Sequence, residues 1–170
     1  MYSIVSIYNV VKNITHNVDI TDTAFQYLND MIYKRFVKRI VKYLNDNKDC
    51  SLDALDTYLR SITIDINRYH VVECAWEEMK DGNKTIRLSS KETRNIFRSA
   101  GLKHKMSKDM VIYITKVIEK LYVDIMSIAT DLIEEKQNTR VTQGYIYEAL
   151  HNDYYLKFLF QYPRKPSSKK

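Results

Sequence analysis

Glycine and proline are nearly missing from this 170-residue chain, with three and two copies. That scarcity does most of the excluding. Phosphate-cradling loops, dinucleotide-binding turns and multi-strand hairpin folds all consume glycine for close backbone approach or positive φ. Gly82, Gly101 and Gly144 each stand alone, which sets aside most nucleotide-dependent enzymes. Two cysteines, Cys50 and Cys74, cannot build a disulfide framework. No Cys or His pair has zinc-finger spacing, so both cysteines read as reduced packing residues. No apolar run reaches the roughly 18 to 20 residues a membrane span needs. The start, Met1-Tyr2-Ser3-Ile4-Val5-Ser6, lacks the basic region of a secretory signal. The expectation is a soluble globular protein, intracellular or packaged inside something. Its hydrophobic residues, 45% of the total, suffice for the core of one or two small domains.

Charge is plentiful but uneven. The net charge is +6 and the pI near 9.1. Residues 1–81 hold 10 Lys+Arg against 12 Asp+Glu, whereas residues 82–170 hold 17 against 9. The second half therefore carries the signal for a polyanionic partner. Ile, Lys, Tyr and Asn together supply 61 residues. These are the residues of A/T-rich codons, which discounts the tyrosines as a functional signal.

Helical periodicity organises the chain. Ala24, Leu28, Ile32, Phe36, Ile40 and Leu44 recur at four-residue steps, widened by Phe25, Met31 and Tyr43, with Lys34, Lys38 and Lys42 on another face. This is one long amphipathic helix over about 21–47, with Thr21 as N-cap and Asp22 favouring the helix dipole. A short apolar helix over about 2–14 precedes it. After a loop at 48–50, Ser51 and Asp53 start a shorter helix carrying Leu52, Leu55, Leu59 and Ile62. The unit then returns. A short helix over 93–100 leads through the basic loop 101–106 to a second long helix capped by Ser107. Met110, Ile114, Val117, Leu121, Ile125, Ala129 and Leu132 mark its stripe. The loop 137–141 and the cap Thr142 then begin a third short helix with Ile146, Ala149 and Leu150. Between the units, 66–80 reads as an extra helix, and Asp81-Gly82-Asn83-Lys84 is a separating turn. A long helix crossed by two short ones leaves a wide apolar face open, and two such units clasped together bury both faces. The expected fold is all-α, with two tandem units over 1–81 and 82–170 paired within one chain.

The residues that could carry chemistry point to binding. Lys48, Ser51, Thr21, Lys103, Lys105, Lys108, Thr139 and Arg140 fall in inter-helix loops or at the helix starts they lead into. There, backbone N–H groups and helix dipoles can meet phosphates. Arg140 is the foremost candidate among them. His16, His70, His104 and His151 have no converging spacing, and the carboxylate pairs Asp53/Asp56 and Glu134/Glu135 stand beside no nucleophile. No active site, metal or cofactor is assigned, and the chain is read as a non-enzyme. Trp76 on the extra helix either packs that helix down or faces a partner.

Thr139-Arg140-Val141-Thr142, Ala149-Leu150-His151-Asn152-Asp153 and Leu156 resemble the loop, third helix and Asn-Asp-x-x-Leu ending of the 2A-type core histone. Ile96-Phe97-Arg98-Ser99-Ala100-Gly101 resembles the end of that type's first helix, and Tyr113, Val117, Glu119 and Leu121 fit its long helix. The first half is similar to the 2B type through Tyr8, Val11 and Lys12 before His16, then Ile20-Thr21, Leu55-x-Thr57-x-Leu59-Arg60, and His70 and Val72 on the extra helix. Fused doublets of this order are found in large DNA viruses of amoebae.

The resemblance implies two histone folds in a handshake pairing that compact viral DNA through sequence-independent backbone contacts. It adds Lys12, Arg94 and Arg98 to the DNA-binding set. It implies assembly with a second doublet resembling the other two core histones, through Tyr43, Leu44, Leu55, Leu59, Ile62 and His70. It implies a residual acidic patch at Glu119, Asp124 and Asp153, weakened because Ser127, Tyr154 and Tyr155 replace carboxylates. The implied location is the virion, the viral factory or the host nucleus. There are departures: no basic N-terminal tail, Asn47-Lys48 in place of a loop arginine, Glu92 and Asn95 in place of first-helix arginines, and a C-terminal docking extension reduced to 161–170. The alternative is a histone-fold assembly module of a transcription or scaffold complex, with incidental DNA contact.

Overall fold

The computed structural model describes residues 1–15, 18–47, 51–63 and 70–160, apart from the side chains at positions 63, 70, 154, 155 and 158. Helix α1 (Ile4–Val11) is capped by Ser3, whose hydroxyl accepts from the Ser6 amide. A two-residue strand β1 (Asp19–Ile20) leads to the first long helix, capped by Thr21. That helix runs as α2 (Asp22–Met31), a π-helical segment (Ile32–Val37) and α3 (Lys38–Asp46). Helices α4 (Leu52–Thr63) and α5 (His70–Lys80) complete the first half. The second half holds α6 (Ser90–Ser99), the long α7 (Lys108–Glu135), strand β2 (Arg140–Val141), α8 (Gln143–Asn152) and α9 (Tyr154–Phe160). Among the described residues no helix is long and apolar enough to cross a membrane.

The π segment has a cause in the sequence. An α-helix turns once per 3.6 residues, so each four-residue step advances the stripe by about 40° beyond a full turn. Over the five steps from Ala24 to Leu44 a straight α-helix would carry the stripe to its opposite side. All six stripe residues are nonetheless buried, because the wider turns at Ile32–Val37 take back part of that drift. Helix α7 differs. From Met110 to Ile118 it is buried on every side, as α1, α4, α5 and α6 all pack around it.

The two units interlock. Strands β1 and β2 pair in parallel, with Asp19 opposite Arg140 and Ile20 opposite Val141. This joins the start of the first long helix to the end of the second. At the other end Asn45, in the last turn of α3, grips the loop before α7. Its Nδ2 donates to the Gly101 carbonyl at 2.9 Å and its Oδ1 accepts from the Lys103 amide at 3.0 Å. The long helices therefore run antiparallel, with a loop contact sealing each end. Gly101, at φ 95°, ends α6 in the left-handed region and lets the Leu102 amide return to the Phe97 carbonyl at 3.1 Å.

A buried polar chain crosses the seam. Tyr122 Oη donates to Asn29 Oδ1 at 2.8 Å, and Asn29 Nδ2 donates to the Tyr2 carbonyl at 2.7 Å. Tyr2 Oη bonds Thr93 Oγ1 at 2.6 Å, which bonds Thr115 Oγ1 at 2.8 Å. Every member is satisfied, so the network fixes register without leaving an orphaned polar group. Burial raises the phenols of Tyr2, Tyr113 and Tyr122 above their ordinary value. Such groups contribute stability that is complete below their unfolded pKa of about 10 and is lost as pH rises toward their folded values. Alkaline unfolding should therefore be cooperative above about pH 10, with the last tyrosinate absorbance appearing only as helical circular dichroism disappears. Ionisation of every tyrosine with the helices intact would contradict this burial.

Several expectations change. The resemblance implies a partner surface that includes Leu44, Leu55 and Leu59, but these are at most 1% exposed; intramolecular pairing, with α4 and α5 folded onto α7, consumes them. Tyr43 is half-buried too, its ring stacked on Tyr58 at 3.9 Å and its hydroxyl donating to the Ala54 carbonyl. Only Ile62 of that set keeps partial exposure without such a contact, and His70 lies outside the described side chains. Cys74 is exposed, not a packing residue, and Cys50 lies outside the described residues. Helix α9 was not anticipated. Asp153 Oδ1 accepts from the Leu156 amide at 2.8 Å to start it, and Leu156, Leu159 and Phe160 are buried. Trp76 packs α5 down, edge-on to Tyr113 at 5.3 Å.

Candidate nucleic-acid interface

The basic loop before α7 has a defined backbone. Lys103, Lys105 and Lys108 are exposed and form no ion pair among the described residues. Asn45 holds the backbone at 101–103, and Ser107 caps α7 by accepting from the Met110 amide at 3.1 Å. Lysines at this end lie against the positive pole of a 28-residue helix, an arrangement that costs helix stability and concentrates positive potential. Ser51, exposed, accepts from the Ala54 amide at 3.1 Å to start α4. Lys48 lies outside the described residues.

The opposite edge is built from β1 and β2. Thr21 uses its hydroxyl to cap α2, and Thr139 is exposed, its carbonyl accepting from the Asp19 amide at 3.2 Å. Arg140 projects from β2 but bonds Asp19, with Nε to Oδ2 at 2.7 Å and Nη2 to Oδ2 at 2.6 Å. Lys12 is exposed at the end of α1 and forms no ion pair among the described residues. Arg98 is exposed and Arg94 half-buried on α6. The structure thus gathers Lys103, Lys105 and Lys108 at one end of the handshake, and Thr21, Thr139 and Arg140 at the other. Asn45 and Asp19 carry no signal of their own in the sequence, because each matters only through a partner more than fifty residues away.

Glu119, Asp124 and Asp153 all line one cleft of about 670 Å³ between α5, α7, α1 and the start of α9. The patch is not a free anionic surface. Glu119 Oε1 accepts the backbone amides of Arg87 at 2.5 Å and Leu88 at 2.6 Å, and burial raises its carboxyl above the ordinary range despite those bonds. Asp153 caps α9. Asp124 shares the cleft with Arg87, Lys116, Lys120 and Glu78. Glu78 receives both ammonium groups, each at 2.6 Å. Burial pushes its carboxyl up, but the two lysines together outweigh burial and hold it below the ordinary range.

Lys116 is only 3% exposed, so Glu78 is its main compensation, with the Thr85 carbonyl at 3.0 Å second. Replacing Glu78 by Gln should lower stability by about 2 to 3 kcal/mol. Because Glu78 titrates below its ordinary range, its contribution is present above the unfolded pKa and is lost as pH falls through the folded one. The deficit of the variant in urea denaturation should accordingly shrink below about pH 4. An additional Lys116→Met change should restore most of the stability; no rescue would mean that Lys116 is not the reason for the loss.

No family model matches the sequence, and no curated protein matches it. Among solved structures, the chain is similar to the histone from Methanopyrus kandleri, with a TM-score of 0.62 and 15% identity over 89% of this chain and 95% of that chain. At that identity the likeness is one of fold. Because 89% of this chain exceeds the length of either half, the likeness takes in both units as they sit together. The chain therefore has the histone fold, present as two tandem units paired within one polypeptide.

Proposed function

We propose that this chain is a DNA-binding histone doublet, with a 2B-like fold and its extra helix over 1–81 and a 2A-like fold over 82–170. It compacts viral DNA through backbone contacts that do not read base sequence. The observation that carries this reading is the 101–108 edge, where three lysines without ion pairs among the described residues sit on a backbone clamped by Asn45 at the positive end of α7. A phosphate backbone supplies the charge that edge lacks. The DNA-binding set is Lys12, Thr21, Lys48, Ser51, Arg94, Arg98, Lys103, Lys105, Lys108, Thr139 and Arg140. The partner is a second doublet resembling the other two core histones, and the setting is the virion, the viral factory or the host nucleus.

Duplex DNA should bind with nanomolar to micromolar affinity, indifferent to sequence, and the logarithm of affinity should fall linearly with that of salt concentration. Weak salt dependence would favour the scaffold-module alternative, and a strong preference for one sequence would sink the packaging role. A single change separates binding from folding. Lys108→Glu puts a favourable charge in the first turn of α7 and should raise stability by about 0.5 kcal/mol. The same change should weaken DNA binding several-fold. A loss of both would show that Lys108 is structural. Co-reconstitution with a partner doublet followed by nuclease digestion tests the assembly: no discrete protected fragment with any histone partner contradicts it.

A further inference from the structure

The two ends of the handshake differ in how their basic residues are paired. At the 101–108 end, no Asp or Glu among the described residues pairs with Lys103, Lys105 or Lys108. At the β1–β2 end, the strand register sets Asp19 directly across from Arg140. Two guanidinium nitrogens converge on one Asp19 oxygen, at 2.7 and 2.6 Å. Both side chains remain about three-fifths exposed, at 62% and 61%, so a phosphate can reach the guanidinium, but only by displacing or sharing it with Asp19. An exposed pair of this kind holds its partners weakly, by a factor of about five at most. It tunes a contact without abolishing it.

We propose that Asp19 is a tuning residue which attenuates DNA contact at the β1–β2 end, so that the 101–108 end anchors the duplex and the Arg140 end closes on it weakly and reversibly. The ligand is the phosphate backbone of duplex DNA, and the inference rests on the DNA-binding reading above. Arg140, the foremost single candidate from sequence, is thereby a conditional contact. In the unsubstituted protein its positive charge is largely spent on Asp19, whereas Lys105 delivers its charge undiminished.

The test is a double-mutant cycle in the full-length chain, read as affinity for a duplex of mixed sequence across a salt series. Asp19→Asn should tighten binding by about three- to five-fold near 0.1 M salt and steepen the salt slope by about one phosphate equivalent. Arg140→Ala should cost less than about two-fold in the native background, yet about five-fold or more in the Asp19→Asn background. Asp22→Asn is the control. It removes a nearby negative charge that has no contact with Arg140 among the described residues, so its effect should add to that of Arg140→Ala without coupling. Additive effects of Asp19→Asn and Arg140→Ala, or a native-background cost of Arg140→Ala equal to that of Lys105→Ala, would overturn this inference and leave the DNA-binding reading intact. Absence of salt-dependent DNA binding by the unsubstituted chain would overturn both.

Discussion

Cut between Asp81 and Gly82, the chain should cease to fold: residues 1–81 and 82–170 expressed apart should be insoluble or unfolded, while the intact chain melts in one cooperative transition. The reason is the ownership of the core. Helix α8 packs on α2, and α1, α4 and α5 pack on α7, so each half covers a substantial part of the other's long-helix stripe. Tyr122 and Asn29, both buried and from different halves, complete each other's hydrogen bonds; apart, each would bury or expose an unmatched polar group. The linker supplies an effective concentration on the order of millimolar, so pairing needs no mass-action assembly. At the junction, Gly82 takes φ 76°, and the Asn83 amide returns to the Glu78 carbonyl at 2.9 Å, a tight helix end that starts the second half in place. Co-expression of the two pieces should restore solubility through a mixed dimer. Two independent melting transitions in the intact chain would show separate domains and refute the shared core.

The long-helix periodicity was readable because burial repeats faithfully at four-residue steps, and every position of the Ala24–Leu44 stripe is buried as its spacing implies. What the stripe could not show is how a helix accommodates a strict period of four, since that depends on backbone hydrogen bonding within the π segment. Leu44, Leu55 and Leu59 drop out of the expected partner surface for a related reason. Periodicity marks Leu44, Leu55 and Leu59 as apolar-facing, but whether the facing surface belongs to the same chain is a tertiary fact, and α5 and α7 supply it. Helix α9 does not show in the sequence because its cap, Asp153, reads there only as part of an Asn-Asp-x-x-Leu ending and as a carboxylate. The basic edge was legible because Lys103, Lys105 and Lys108 are close in sequence and their loop position follows from the helices around them. Asp19 was not, because its meaning comes from a strand register 121 residues away.

The largest expected loss from a single side chain is at Asp56. This carboxylate, 8% exposed, accepts from Tyr113 Oη at 2.5 Å and from Arg60 Nε at 2.8 Å. It joins α4 of the first half to α7 of the second. Tyr113 is fully buried, and burial, followed by the neighbouring Asp56, raises its phenol above the ordinary value, so the hydroxyl serves as the donor in this bond. Asp56→Ala strips the acceptor from that buried hydroxyl and a counter-charge from Arg60, leaving a small cavity as well. The expected cost is about 3 to 5 kcal/mol, a large share of the stability of a domain this size. Tyr113→Phe removes the donor yet leaves Asp56 paired with Arg60, and should cost only about 1 to 2 kcal/mol. In the Asp56→Ala background, the same Tyr113→Phe change should be neutral or stabilising, because it eliminates the orphaned hydroxyl. Trp76 is the single tryptophan of the chain and lies 5.3 Å from the Tyr113 ring, so its fluorescence reports this junction directly. Urea titrations followed by Trp76 emission and by circular dichroism should coincide in the native protein. In Asp56→Ala the emission change should come first, as α4 and α5 loosen before the long helices part; coincident transitions with a cost under about 1 kcal/mol would show that Asp56 does not anchor the two halves.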